Sequence, residues 1–428
     1  MAAGYGGGFM KFPTEMTMAE TKSILDPETI QNPYPLYEEL RRDRPITYMP
    51  ELKGYFVSNY ALAKKVLADK RFGKTPTVKD GTKFVPANAI AREILLRDEE
   101  IGLPIHCFSE SDGARFSAFR KMAEPFFARV GAAAMEPEIQ FHIDALLDEQ
   151  VKLDTCDLPS QYSAPFTTAV ICKLVGVPNS MLNEMKAYAD ASLSYRARVL
   201  SESDAVSVAE TLVSMHNVVR ELLAERRANP KDDLLSVLTQ ATVEGQPLTL
   251  KEQVYIVEEV VLGGSETTAN AINAGLIHLG WHPELQDTLR KNPDQITAFM
   301  EEVLRLLTPI QSGHRHARED LEIGGVTIKN GEKVYVGTAS ANRDEAQFKC
   351  PMQFDHLRDD SKFHIAFGGG PHHCLGSQIS RIEQRLSYEG WLKRFSSFEL
   401  MIPYEDIRFG DVWVTRTPLE VPLRLKKA

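Results

Sequence analysis

The stretch Phe367-Gly-Gly-Gly-Pro-His-His-Cys-Leu-Gly376 concentrates reactive side chains where the chain cannot be regular. Three glycines and a proline exclude helix and strand, so the backbone must make a tight, fixed turn. Gly376 to Gly390 then has helical spacing, which puts Cys374 just before a helix N-terminus. Free N–H groups and the helix dipole favour thiolate over thiol there. A thiolate on a rigid loop is a soft, strongly donating metal ligand. Three other readings compete. Cys374 could be a buried, inert cysteine, the commonest fate of a free thiol. It could join His364, His372 and His373 in a zinc site, although the chain lacks paired spacings such as Cys-x-x-Cys. It could also be a nucleophile with a histidine partner.

A second reactive segment is Gly263-Gly264-Ser265-Glu266-Thr267-Thr268. It lies in the middle of a helical pattern that opens on the capping box Thr249-Leu-Lys-Glu252 and stops at Trp281, before Pro283. That is roughly 30 residues, or ~45 Å at 1.5 Å per residue, enough to cross a domain. Each glycine costs about 1 kcal/mol relative to alanine, and Thr267-Thr268 adds β-branching. Two explanations fit such a weak centre. Either something flat and bulky lies against bare backbone while Glu266 and Thr267 relay protons inward, or the glycines serve a tight helix crossing and Glu266 is solvated.

The elements that must hold these groups are mostly helices. Helical spacing covers Pro35–Arg42, Asn59–Ala68, Ala87–Leu96 and most of Ala114–Asn229, with breaks expected at Pro125, Pro159, Pro165 and Pro178. Asp232–Gln240 and Pro293–Leu307 are helical too. Extended chain is expected at Ile46–Val57, short strands at Leu321–Ile328 and Glu332–Val336, a last helix at Gly376–Phe395, and a hairpin-like tail ending near Leu425. Lys74–Gly113 is otherwise irregular, as binding loops and lids are. Strands and helices do not alternate, which disfavours a doubly wound sheet. The expectation is one mainly α domain with small β-sheets over 19–428, behind a flexible segment 1–18.

The 428 residues carry 49 Lys+Arg against 59 Asp+Glu, a formal charge of −10, and no basic stripe, which argues against nucleic acid. Five scattered cysteines (Cys107, Cys156, Cys172, Cys350, Cys374) make a disulfide framework improbable and a reducing cytosol the expected compartment. No run of about 18 apolar residues suggests a membrane span or anchor.

The Cys374 stretch resembles the heme-binding signature of the cytochrome P-450 superfamily, Phe-Gly-x-Gly-x-His-x-Cys-x-Gly. Phe367, Gly368, Gly370, His372, Cys374 and Gly376 fill its defined positions. The segment at Gly263–Thr268 is similar to the family's oxygen-activation motif, Glu302-Val-Leu-Arg305 to its Glu-x-x-Arg motif, and Asn342-Arg343-Asp344 to another family element. The resemblance implies heme b lying between the long central helix and the Cys loop with its following helix. Cys374 would be the axial thiolate, with Phe367 against the sulfur and His372 reaching a propionate. Glu266 and Thr267 would form the acid–alcohol pair, Glu302, Arg305 and Arg358 a salt-bridge triad, and Arg315 and Arg120 propionate ligands. The family's early-helix His-x-x-x-Arg is incomplete, because Phe116 stands where histidine is expected; Arg115 is a neighbouring cation that could substitute.

By the same resemblance the protein would be a heme-thiolate monooxygenase of the soluble bacterial type, inserting one atom of O2 into a hydrophobic small molecule, most simply by hydroxylation. The chain ends about 50 residues after Cys374 and lacks clustered cysteines for an iron–sulfur centre. Electrons would therefore come ultimately from NAD(P)H through a separate ferredoxin or flavodoxin and its reductase. A peroxide-driven hydroxylase or decarboxylase is an alternative, disfavoured by the intact Glu266-Thr267 pair; a zinc hydrolase using His372, His373 and Cys374 is another. By family position the substrate pocket would draw on the Lys74–Gly113 loop, Met185–Arg196, Val260, Gly263, Gly264, Pro309, Ile310, Gln311 and Trp413, with Gln311 or Ser312 orienting a polar group.

Overall fold

The computed structural model describes residues 22–75, 88–198 and 200–428. The expected flexible segment 1–18 lies outside the described residues, as does part of the Lys74–Gly113 loop. Helices dominate, and the helix Leu250–Trp281 runs unbroken through 32 residues. Its capping box forms as the sequence predicts: Thr249 accepts from the Glu252 N–H at 3.2 Å, while Glu252 accepts from the Thr249 N–H at 2.9 Å. Its buried residues occur on every side, so this helix is a core element rather than an amphipathic cover.

The helix Ala164–Val175 crosses the central helix at its weak midpoint. A Cβ on Gly264 would lie 2.6 Å from Ile171, so glycine is required there for the backbones to approach. The helix Ser377–Arg394, which follows the Cys loop, packs on the central helix as well; Tyr388 donates to the Ala271 carbonyl at 3.0 Å.

The strands form two principal sheets. One has the order Ile46–Met49, Gly54–Val57, Lys333–Val336, Gly313–Ala317, Phe72–Gly73, with only Lys333–Val336 and Gly54–Val57 parallel. The other places Pro422–Lys427 between Phe395–Leu400 and Thr155–Asp157. The tail hairpin thus exists, but its two strands are joined by a long excursion whose middle touches the rest of the chain through the bridges Ile310↔Thr415 and Phe409↔Pro418. Leu321–Ile323 and Val326–Ile328 pair as the Gly324-Gly325 turn suggests.

Two predicted breaks are not breaks. Pro125 lies inside the helix Gly113–Phe127, close enough to its end that the lost N–H costs one terminal bond. Pro165 sits in the first turn of Ala164–Val175, where no intrahelical donor is needed.

Candidate active site

The Cys loop is shaped by two left-handed glycines, Gly368 at φ +68° and Gly370 at φ +64°. The Cys374 N–H donates to the Phe367 carbonyl at 2.9 Å and the His373 N–H to that of Gly370 at 3.0 Å, closing the turn just before the helix Ser377–Arg394. Cys374 is solvent-accessible, yet its thiol is desolvated by the protein around it. Burial pushes the free thiol up, against the pull of the Gly376 N–H, Arg120 and Arg381. The sequence argument for a dipole-stabilised thiolate is corrected accordingly: the helix end acts in the expected direction, but desolvation outweighs it.

Phe367 is gripped from one side by Arg381, whose guanidinium sits 4.5 Å from the ring centroid. Arg381 Nε donates to Glu301 at 2.6 Å, and His364 Nε2 lies 3.0 Å from the same carboxylate. Burial would raise the Glu301 pKa, but His364 and Arg381 hold it down at about 2.

Cations gather on another side. Arg120 donates to the His373 carbonyl at 3.0 Å. Arg315 is buried on strand Gly313–Ala317, opposite Val334, and donates to the His314 carbonyl at 2.8 Å. Lys74 follows Gly73, which pairs with His316, so it stands beside Arg315; burial and that neighbour lower its ammonium to about 8. Neither Arg315 nor Lys74 has an ion pair within 4.0 Å among the described residues. Asp112 organises this corner: it accepts from His372 Nε2 at 2.9 Å and from the Lys74 and Thr75 N–H groups at 2.6 and 2.7 Å, and pairs with Arg318 at 2.9 Å. Burial opposes ionisation, but these donors hold its carboxyl well below the usual carboxylate range. Phe116 stacks on His372, while Arg115 is bound to Glu252 at the start of the central helix. Arg115 is therefore not the substitute for the missing histidine.

On the central helix the two glycines answer different demands. Gly264 packs on Ile171, whereas nothing lies within 4 Å of a Cβ built on Gly263. Gly264 thus serves the helix crossing, while Gly263 leaves open space beside the backbone. Thr267 Oγ1 donates to the Gly263 carbonyl at 2.6 Å, and Glu266 Oε1 accepts from Thr417 Oγ1 at 2.6 Å. Glu266 and Thr267 are half-buried, as expected of groups at a cavity wall.

Of the expected pocket residues, Val260 is buried and Pro309, Ile310 and Gln311 adjoin the tail: the Gln311 N–H donates to the Val414 carbonyl, and the Arg416 N–H to that of Pro309, each at 2.9 Å. The Gln311 amide N–H₂ donates to the Thr308 carbonyl at 2.6 Å and the Ser312 hydroxyl to that of Val336 at 3.1 Å. Trp413 packs on Tyr335, with ring centroids 5.5 Å apart.

The triad residues meet. Glu302 accepts from Arg305 at 2.7 and 2.8 Å and pairs with Arg358 at 3.0 Å, all three side chains being almost wholly buried. A zinc cluster is not assembled: His364 is directed to Glu301 and His372 to Asp112, and no group of three metal-ligating side chains occurs among the described residues.

Sequence reasoning missed a pair of buried acids one turn before Gly263. Glu258 accepts from Arg196 at 2.6 Å and Ser192 at 2.7 Å. Glu259 accepts from the N–H groups of Cys107, Phe108 and Ser109 at 3.1, 2.6 and 3.3 Å. Between them they tie the helix Leu182–Ala197 and the 105–111 loop to the central helix. Two adjacent carboxylates inside an otherwise apolar run were the available signal.

An accessible soft thiol, a helix groove left bare by Gly263, and the cations Arg315 and Lys74 without an ion pair within 4.0 Å make a coherent donor set. They fit a flat, metal-centred group with acidic side arms.

Comparison with known proteins is consistent with that chemistry. A family model described as Cytochrome P450 matches residues 179–409. The chain is 31% identical over 389 residues to the biotin biosynthesis cytochrome P450 of Bacillus subtilis, covering 90% of this chain and 94% of that one. It is 30% identical to nocardicin C N-oxygenase of Nocardia uniformis subsp. tsuyamanensis, covering 95% and 100%. The fold is similar to that of P450BioI in complex with hexadec-9Z-enoic acid ligated acyl carrier protein, with TM-score 0.82 at 28% identity, over 94% of this chain and 99% of that one.

Proposed function

This chain belongs to the cytochrome P450 family of heme monooxygenases, and on that premise we propose that it hydroxylates an apolar small molecule with electrons from a separate protein. When bound, thiolate-ligated heme activates dioxygen so that one atom enters the substrate and the other leaves as water. Cys374 would hold the iron, and its combination of accessibility and desolvation is the observation that carries the reading.

The remaining residues position and protonate. Arg120, Arg315 and Lys74 are the cations available to the acidic side arms, with His372 held beside them by Asp112. Phe367, pressed by Arg381, shields the sulfur side from water. Glu266 supplies protons, and Thr267 fixes the local helix geometry by its bond to the Gly263 carbonyl while keeping a hydroxyl at the cavity wall. Glu258 and Glu259 hold the substrate-enclosing segments closed.

A ferredoxin or flavodoxin with its reductase, drawing ultimately on NAD(P)H, is the electron source in this reading. The substrate is apolar; an acyl chain, such as the carrier-bound hexadecenoate of the P450BioI structure, is one candidate class. We read 19–428 as a single catalytic domain acting in the cytoplasm, a reading supported by five free cysteines and by the finding that no helix among the described residues is long and apolar enough to cross a membrane.

The test is the carbon monoxide difference spectrum of the reduced protein. The red-shifted thiolate Soret band is expected; colourless protein, or heme without that band, would overturn the assignment.

A further inference from the structure

Glu266 has one hydrogen-bond partner among the described residues, and it lies outside the central helix. Thr417 Oγ1, on the excursion between the two tail strands, donates to Glu266 Oε1 at 2.6 Å. The direction of that bond is fixed. Asn270, one helical turn after Glu266, donates from Nδ2 to Thr417 Oγ1 at 2.8 Å, occupying one lone pair and leaving the hydroxyl hydrogen for the carboxylate. Thr415 Oγ1 stands 3.3 Å from Thr417 Oγ1, and its own hydroxyl donates to the Val412 carbonyl at 3.5 Å.

The backbone holds this arrangement from both sides. The Arg416 N–H donates to the Pro309 carbonyl, and the Thr417 carbonyl accepts from the Gly410 N–H, each at 2.9 Å. Immediately behind lies a small, partly open pocket of mainly apolar lining, with Ala274, Ile277, Leu307 and Phe409 beside Asn270, Arg416 and Pro418. Asn270 therefore faces the pocket and touches the threonine, and the two neighbours of Thr417 in sequence also form the wall.

We propose that Thr417 is a positioning residue: oriented by Asn270, it holds the Glu266 carboxyl group in the geometry from which that acid delivers protons to the active site. The proposal rests on the reading of Glu266 as the proton donor.

The experiment compares holoenzyme carrying Thr417→Val, Thr417→Ser and Glu266→Gln. Infrared difference spectra against Glu266→Gln identify the Glu266 carboxyl band. With dioxygen as the only oxidant, a plant-type ferredoxin and its reductase supply electrons, and peroxide release is measured against complete reduction to water. Thr417→Val, nearly isosteric, should shift the Glu266 band and raise the peroxide share about threefold or more, since proton delivery by positioned acids is worth at least that much. Thr417→Ser should restore both, which a purely structural role would not require. Wild-type band and partition in Thr417→Val, with Glu266→Gln altered, would overturn the role of Thr417 and leave Glu266 in place. No effect from Glu266→Gln would remove the acid and its positioning residue together.

Discussion

Phe116 lies nearly face to face with His372, their ring centroids 4.3 Å apart and their planes 30° from parallel. The stack covers one face of the imidazole, while Asp112 takes its Nε2. A phenylalanine at this position therefore fixes the neighbouring histidine rather than supplying a donor of its own, and the burden of binding acidic side arms shifts to cations elsewhere.

On the proposed function, Lys74 would carry part of that burden. Replacing it by methionine should speed heme loss about tenfold, the worth of one charge-assisted hydrogen bond of roughly 1.5 kcal/mol. Heme transfer to excess apomyoglobin measures the rate, and an unchanged rate would exclude Lys74.

Cys374→Ser should abolish the thiolate Soret band of the reduced carbon monoxide complex while leaving the fold intact, because the loop is closed by backbone bonds. Retention of the band would mean that another ligand holds the iron.

The Glu302, Arg305 and Arg358 cluster is buried, so Glu302→Ala leaves Arg305 without its carboxylate and Arg358 with Asp360 alone. A loss of about 3–5 kcal/mol is expected, read from urea unfolding. A loss below about 1 kcal/mol would place the cluster among surface-like pairs.

Glu301 makes acid stability testable. Its folded pKa, about 2, lies below the ordinary glutamate value of 4.5. Its contribution is therefore fully present above pH 4.5 and is lost as pH falls through that window toward 2. Glu301→Gln should lower stability at pH 7 by a few kcal/mol, and its unfolding free energy should fall less steeply than wild type between those limits.

The latch at Glu259 predicts a kinetic effect. Glu259→Gln removes the negative charge from the oxygen on which three backbone donors converge. Hydrogen exchange at Cys107, Phe108 and Ser109 should accelerate, together with the on-rate of 4-phenylimidazole at the heme. Exchange that stays as slow as in wild type would show that the loop is held by something else.

The helical framework and the Cys loop were legible in the sequence because both rest on local chemistry: a capping box, a proline stop, glycines that force a turn. The division of labour between Gly263 and Gly264 was not legible, since it depends on Ile171, almost a hundred residues earlier and brought close only by helix crossing. Asp112, Glu258 and Glu259 escaped notice for the same reason. A carboxylate's partners across the fold decide whether it is a solvated charge or a fastening, and spacing along the chain carries no trace of them. Pro125 misled because a proline near a helix end has little left to disrupt.

The strands Phe395–Leu400 and Pro422–Lys427 close the excursion carrying Thr417 into a loop tethered at its base. Its slack is consequently governed from the far end of the polypeptide, some ten residues beyond the threonine. Loosening those final pairs, for instance with a proline at Leu425, would slacken the base of the flap and weaken its grip on Glu266 without altering the acid itself.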